Sequence, residues 1–331
     1  MVLSMKDIAN DLHLSKTTVS WILSGKGEEK GFSDETIKFV KDYAEKNNYR
    51  PNLLARSLST GFTYTIGLIV PFIGDTFYAQ MAQSIEAEAG RHGYLLTICS
   101  SEGSSKREIE FIKLLRSKQV DGLIIAPTND SKSEIKKLKE DHFPFLLIDR
   151  YFPQLETNYI VVNNRVSSTQ LVNVLINKGC KKIAVLTTAL DLFVMNQRIE
   201  GYKDALKGAE CDLDEDLVIL IQRDNYKNEV ITKLDALFEK HPDIDGFYFT
   251  THYLAIESIR YFISKKINYL EKFALSCFHD TEALDILAPK MTIARMPIEE
   301  MGKNAVEILL DNITQKTSLP QNLILDNDII N

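Results

Sequence analysis

The chain has four cysteines, six histidines and a single tryptophan in 331 residues, and each scarcity removes a class of protein. Cys99, Cys180, Cys211 and Cys277 are scattered without metal-like or redox-like pairing, so buried free thiols are expected instead of disulfides. The histidines show no zinc spacing, and neither a metal nor a cofactor is expected. No apolar run is long enough to cross a bilayer, and the first residues lack the apolar centre of an export signal, which points to a cytoplasmic address without membrane contact. A phosphate-cradling glycine loop, a Gly-x-Ser-x-Gly elbow and a nucleophile beside its base are also missing, so the chain does not read as an enzyme. Nor does one sign of charge dominate. The total is 39 Lys+Arg against 46 Asp+Glu, and residues 1–60 hold nine basic and eight acidic side chains.

What is present begins at once. Met5 to Leu12 has helical spacing, with Ile8, Ala9 and Leu12 on one face; His13 and Leu14 make a turn; and Ser15 to Leu23 supplies Val19, Ile22 and Leu23 as a matching face. Ser15 is placed to cap the second helix and Gly25 to close it. A third helix is expected after Ser33, with Asp34 and Glu35 in its first turn and Ile37, Val40 and Ala44 on one side. Three short helices around one small core form a helix-turn-helix head, whose second helix enters the major groove of DNA. Lys6, Ser15, Lys16, Thr17, Thr18 and Ser20 then stand on or near the exposed side as candidate DNA contacts.

The stretch Tyr49-Arg50-Pro51-Asn52-Leu53-Leu54-Ala55-Arg56-Ser57-Leu58 follows. With it the chain resembles the LacI/GalR family of bacterial transcriptional regulators, whose head ends in a Tyr-x-Pro-Asn-x-x-Ala-x-x-Leu hinge. The resemblance implies a hinge helix formed on the operator, with Leu58 wedged between base pairs in the minor groove, Ala55 beside it and Asn52 among the DNA-binding residues. It also implies that Lys16 and Thr17 read bases, while Ser33 and Thr36 hold phosphates. Trp21 stands where the family usually carries arginine. An indole offers one N–H and a large apolar face instead of a bidentate fork, so either a different base is preferred or Trp21 shields the core. With a near-neutral head, two heads on a palindromic site are expected, and hence a homodimer.

From Thr65 onward short apolar runs alternate with amphipathic helical stretches, which argues for parallel α/β structure. Strands are expected at Ile66–Val70, Leu95–Cys99, Gly122–Ala126 and Phe145–Ile148, and after a break near Val162 and Asn163 again at Ile183–Leu186, Gly246–Phe249 and Phe273–Phe278. Gly122 and Gly246 each follow an aspartate, as in two repeats of one unit. The expected fold is therefore an N-terminal all-α helix-turn-helix headpiece plus a two-lobed α/β periplasmic-binding-protein-like core. Its expected division is a headpiece over 1–49, a hinge and linker over 50–63, a first lobe from 64–163 plus 295–325, and a second lobe over 164–294. No leucine heptads follow the last strand, which leaves the dimer as the default.

Ligands bind beyond the carboxyl ends of parallel strands, here between the lobes. Tyr78, Asp149 with its neighbour Arg150, and Arg198 in Arg198-Ile199-Glu200-Gly201 are candidates there, Arg198 matching the family's Arg-x-x-Gly. Where the family often has Ala-Asn-Asp and Gly-Phe-Asp-Asp, this chain has Thr250-Thr251-His252 and Cys277-Phe278-His279-Asp280. His252, His279 and Asp280 complete the candidate effector set, and imidazoles that gain charge near neutrality suggest an acidic sugar such as a uronate or sugar phosphate. The resulting expectation is a DNA-binding regulator, read as a repressor, whose partners are operator DNA, a carbohydrate effector and a second copy of itself. A sugar-handling α/β enzyme or a solute-binding protein fused to a DNA-binding head is the alternative.

Overall fold

Each helix of the head starts where the sequence supplies a side-chain acceptor for its free amides. Ser4 caps α1 (Met5–Asp11) in a reciprocal box with Asp7, Ser15 accepts from the Thr18 amide ahead of α2 (Lys16–Leu23), and Ser33 accepts from the Thr36 amide ahead of α3 (Asp34–Lys46). Gly25 has φ +81°, the left-handed conformation that lets the chain turn away from α2. Ile8, Ala9, Val19, Ile22, Ile37, Val40 and Ala44 are buried together, and Leu12 and Leu23 pack at the edge. The Tyr43 hydroxyl donates to Asp11 at 2.6 Å, tying α3 to α1.

The computed structural model describes residues 3–49, 57, 61–188, 192–314 and 319–331, in two units, 1–63 and 64–331. Asn52, Ala55 and Leu58, and most of the expected hinge, lie outside the described residues.

The second unit is a two-lobed α/β structure. In the first lobe β1 (Thr65–Val70), α4 (Thr76–Arg91), β2 (Leu95–Ser100), α5 (Ser105–Ser117), β3 (Gly122–Ile125), α6 (Lys132–Glu140), β4 (Phe145–Ile148) and β5 (Tyr159–Val162) follow in order. In the second come α7 (Asn164–Asn177), β6 (Ile183–Thr188), α8 (Phe193–Gly208), β7 (Val218–Ile221), α9 (Tyr226–Lys240), β8 (Gly246–Phe249), α10 (His252–Ser264), α11 (Tyr269–Lys272), β9 (Ala274–Phe278), α12 (Glu282–Leu287) and β10 (Thr292–Arg295). Helix α13 (Ile298–Ile313) packs on α4 of the first lobe, and β11 (Asn322–Leu325) and β12 (Asp328–Ile330) end the chain. The sheets run β11-β5-β4-β3-β1-β2 and β12-β10-β9-β8-β6-β7, so the five strands other than β11 and β12 have the same order in both. Pairing is parallel throughout, except that β12 runs antiparallel to β10. Strand β12 extends the second sheet after the chain has crossed between lobes a third time, a strand the hydropathy pattern does not mark.

The two Asp-Gly pairs do the same job in the two sheets. Asp121 accepts from the Tyr64 amide at 2.7 Å, and Asp245 accepts from the Lys181 and Lys182 amides at 2.8 and 2.9 Å, fastening the start of each central strand to its neighbour. At the crossings the Asn163 amide donates to the Leu325 carbonyl at 2.8 Å, and Asn327 donates to Ser167 at 2.9 Å. All four cysteines are free thiols; Cys277 alone is fully buried and the other three are half-buried, a looser arrangement than the expected buried set.

A cleft at the strand ends and an exposed second helix

The carboxyl ends of the strands in both sheets converge on one cleft. The loop after β1 contributes Phe72 and Asp75, the first turns of α4 give Phe77 and Tyr78, and the ends of β4, β6, β7, β8 and β9 give Asp149 and Arg150, Thr188, Arg223, Thr251 and His252, and Phe278 and His279. Asp149 and His279 have φ +65° and +78°. They follow β4 and β9, which are equivalent strands of the two lobes. A left-handed non-glycine residue stores strain of order 1–3 kcal/mol, a cost that turns both side chains inward.

Two polar networks cross or line the cleft. The Tyr78 hydroxyl donates to Asp149 at 2.7 Å, and the Arg150 Nε lies 3.5 Å from the same carboxylate. Asp75, the N-cap of α4, approaches His252 Nε2 at 3.3 Å and Arg223 Nη2 at 3.5 Å, joining the first lobe to the second. The Arg223 guanidinium stands over the Tyr253 ring at 3.8 Å, with Phe72 of the other lobe 4.6 Å away. Phe77 meets His279 edge-on with centroids 4.9 Å apart. These contacts draw the lobes together and leave an inner chamber of about 70 Å³ beside an outer vestibule of about 810 Å³. Ligand pockets are usually about 300–1,000 Å³, so a sugar ring enters the chamber only if the lobes part.

Arg198, 4% exposed, stacks on Phe278 at 3.7 Å, with Nε donating to Asn164 at 2.8 Å and Nη1 to the Thr250 carbonyl at 2.6 Å. Its position is set by Gly201, one turn on. A β-carbon there would stand 2.3 Å from the Arg165 carbonyl, so only glycine lets α8 lie against α7. Burial lowers the guanidinium's proton affinity. The same cause, helped by nearby positive charge, holds His252 below the ordinary imidazole value and His279 well below it. Both histidines are therefore neutral at pH 7. The sequence-based idea that they supply positive charge is corrected by their burial. Neither His279 nitrogen has a hydrogen-bond partner, nor do Thr188 Oγ1, Thr251 Oγ1, Arg150 Nε or Arg223 Nη1. These buried groups offer donors and acceptors to a polar ligand.

Of the six candidate effector residues, Tyr78, Asp149, Arg198, His252 and His279 line the chamber. Asp280 is directed elsewhere, accepting from Arg295 at 2.8 Å. Arg223 and Asp75 are charged members of the same lining that were not singled out by sequence. Arg223 follows β7, and recognising that strand would have exposed it under the strand-end rule.

In the head, Lys6, Ser15, Lys16, Thr17 and Ser33 are exposed, and Thr18, Ser20 and Thr36 half-buried. The capping hydroxyls are partly engaged, Ser15 with Thr18 and Ser33 with Thr36, each pair at 2.8 Å. Trp21, 38% exposed, leans its ring toward Phe32 at 6.2 Å, with the Lys30 ammonium 5.7 Å above it. It thus covers the loop before α3 and keeps an open edge.

Among the described residues no helix is long and apolar enough to cross a membrane. Residues 63–330 match the family model described as periplasmic binding proteins and sugar binding domain of the LacI family. A probable HTH-type transcriptional regulator, EndR, of Paenibacillus polymyxa is 26% identical over 96% of this chain and 92% of its own length. The ribose operon repressor of Haemophilus influenzae is 27% identical over 98% and 96%. The solved complex of the transcriptional regulator CelR with cellobiose superposes with a TM-score of 0.74 at 21% identity, covering 99% of this chain and 98% of that one. Matched through its cleft-bearing unit by that model, and nearly end to end by regulators, the chain belongs to the LacI/GalR family.

Proposed function

We propose that this chain is a sequence-specific DNA-binding transcriptional repressor whose operator affinity is set by a sugar or sugar derivative held between its two lobes. The observation that supports this most is one polypeptide carrying a capped helix-turn-helix head and a cleft lined by buried polar groups that lack partners. Lys16 and Thr17 of α2 read base edges, with Trp21 setting the preference at one further position. Lys6, Ser15, Thr18, Ser20, Ser33 and Thr36 fix the register on the backbone. Asn52, Ala55 and Leu58 form the minor-groove hinge. In the cleft, Arg198, Asp149, Tyr78, His252 and His279 hold the effector.

The working form is a cytoplasmic homodimer on a palindrome, because a near-neutral head gains little from each phosphate it neutralises and needs its contacts doubled. Ligand shifts the population of two lobe arrangements and so alters the hinge. The size of the response equals the difference in ligand affinity between the two states. Relatives are named as transcriptional regulators, and we read this chain likewise as a regulator without catalytic activity.

Selection from a random DNA pool with the purified full chain, at stated salt, tests the reading. A palindrome with a flexible central step is the expected product. An unenriched pool, both without additive and with mixtures of sugars and sugar acids, overturns it.

A further inference from the structure

At the amino end of β7, away from the cleft, a buried imidazole meets two carboxylates. Among the described residues, Asp214, Asp216 and His241 form the one group of three metal-ligating side chains whose ligand atoms all lie within 4.8 Å of one another. Asp214 caps the 3-10 turn Glu215–Leu217 that leads into β7, its Oδ1 accepting from the Asp216 amide at 3.0 Å. His241 stands at the end of α9, the helix that packs on β7, and its amide donates to the Leu237 carbonyl at 2.8 Å. The imidazole is the informative member. His241 is 8% exposed, and its Nε2 is buried without a hydrogen-bond partner. Nε2 lies 3.9 Å from Asp216 Oδ2, and Nδ1 lies 3.9 Å from Asp214 Oδ2. Both gaps are too long for hydrogen bonds. Two atoms that each stand about 2.0–2.2 Å from a zinc ion are about 3.3–4.2 Å apart, so the spacing suits an ion between them. The surroundings favour positive charge as well. Glu210, Asp212 and Glu215 flank the two aspartates in sequence, and the last carbonyls of α9 carry the negative end of its dipole.

We propose that Asp214, Asp216 and the Nε2 of His241 bind a zinc ion that ties the turn before β7 to the end of α9. Imidazole with carboxylate suits zinc, whereas magnesium and calcium take oxygen ligands alone. Three protein ligands leave a position for water. Lys240 is the competitor: it pairs with Asp216 and is itself exposed. A surface pair of this kind is weak, so the lysine swings away and Asp216 turns to the ion. No spacing in the sequence marks the site, because β7 and most of α9 separate His241 from the aspartates and only their packing brings the three together. The site is independent of the effector reading, since none of its residues lines the cleft.

The test is calorimetric titration of the chelator-treated full chain with zinc chloride, paired with its melting temperature. Saturable zinc binding is expected, weakened about tenfold or more in Asp214→Asn and Asp216→Asn. Asparagine keeps the cap of the turn, so Asp214→Asn is expected to fold. His241→Gln loses binding likewise, and the two carboxylate variants decide the matter if it does not fold. Lys240→Ala, which removes the competing cation, binds zinc several-fold more tightly, a gain that a merely structural cluster of ion pairs would not give. Zinc raises the melting temperature of the wild type by mass action and leaves that of Asp214→Asn nearly unchanged. Absence of saturable binding overturns the proposal. So does equal binding in the carboxylate variants, which would mean an adventitious ion only, held at other histidines or thiols. Unchanged binding in Lys240→Ala, or magnesium stabilising the chain as far as zinc, overturns it too.

Discussion

Single residues show where a sequence pattern carries chemistry and where burial rewrites it. His252 and His279 were placed in the cleft by their position after apolar runs, and that is where they lie. Their charge state was not legible, because it depends on desolvation by neighbours drawn from several strands. The sign of the resulting pH dependence follows from linkage. His279 binds its proton more weakly folded than unfolded, so it costs nothing above the unfolded value of about 6.5 and lowers stability progressively as pH falls below it. The melting temperature is therefore expected to drop from pH 7 to pH 5, with a shallower slope in His279→Asn; an unchanged slope would show that His279 takes a proton in the folded state. Trp21 offers a second residue-scale test. Replacing it by arginine supplies a bidentate donor, so the selected operator should gain a guanine at one symmetric position. An unchanged operator would leave Trp21 as a cover for the head.

At the scale of elements, local signals served the head best. Serines 4, 15 and 33 are all N-caps, and removing Ser33 by Ser33→Ala is expected to cost about 1 kcal/mol in thermal or chemical unfolding of the head. In the second unit the apolar runs marked β1, β2, β3, β4, β6, β8 and β9. Strands β5, β7, β10 and β11 were missed, although at four residues they are no shorter than β3, β4 and β8 and β7 is apolar throughout. That omission hid Arg223. Glycines also hid a packing role. Gly201 in Arg198-Ile199-Glu200-Gly201 and Gly302 in α13 sit where a β-carbon would stand 2.3 Å from the Arg165 carbonyl and 2.2 Å from Ser84 Oγ. Gly201→Ala meets a backbone carbonyl and Gly302→Ala meets the Ser84 β-carbon at 2.6 Å, which no rotation of that side chain moves, so each is expected to destabilise by about 1–3 kcal/mol. Wild-type stability of either variant in urea unfolding would contradict this.

For the whole molecule, the repeated order of five parallel strands places both sets of carboxyl ends on the same cleft, and the three crossings make that cleft a hinge between two bodies. The Asp-Gly pairs before β3 and β8 made the repeat readable from sequence. The contacts that close the cleft, Asp75 with Arg223 and His252, join residues more than a hundred positions apart and belong to no pattern. They also give closure a measurable handle: Asp75→Asn weakens the bridge between the lobes, so the ligand-free chain is expected to scatter X-rays with a larger radius of gyration. The central claim is that ligand in this cleft changes the grip on DNA. Its most direct test is the affinity of the full chain for its selected palindrome, at fixed salt, with and without a ligand shown to bind, in wild type and in Arg198→Gln. A change of about 5–150-fold, in either direction, in wild type and none in the variant is the expected result. Ligand that saturates the cleft while operator affinity stays the same would contradict the account.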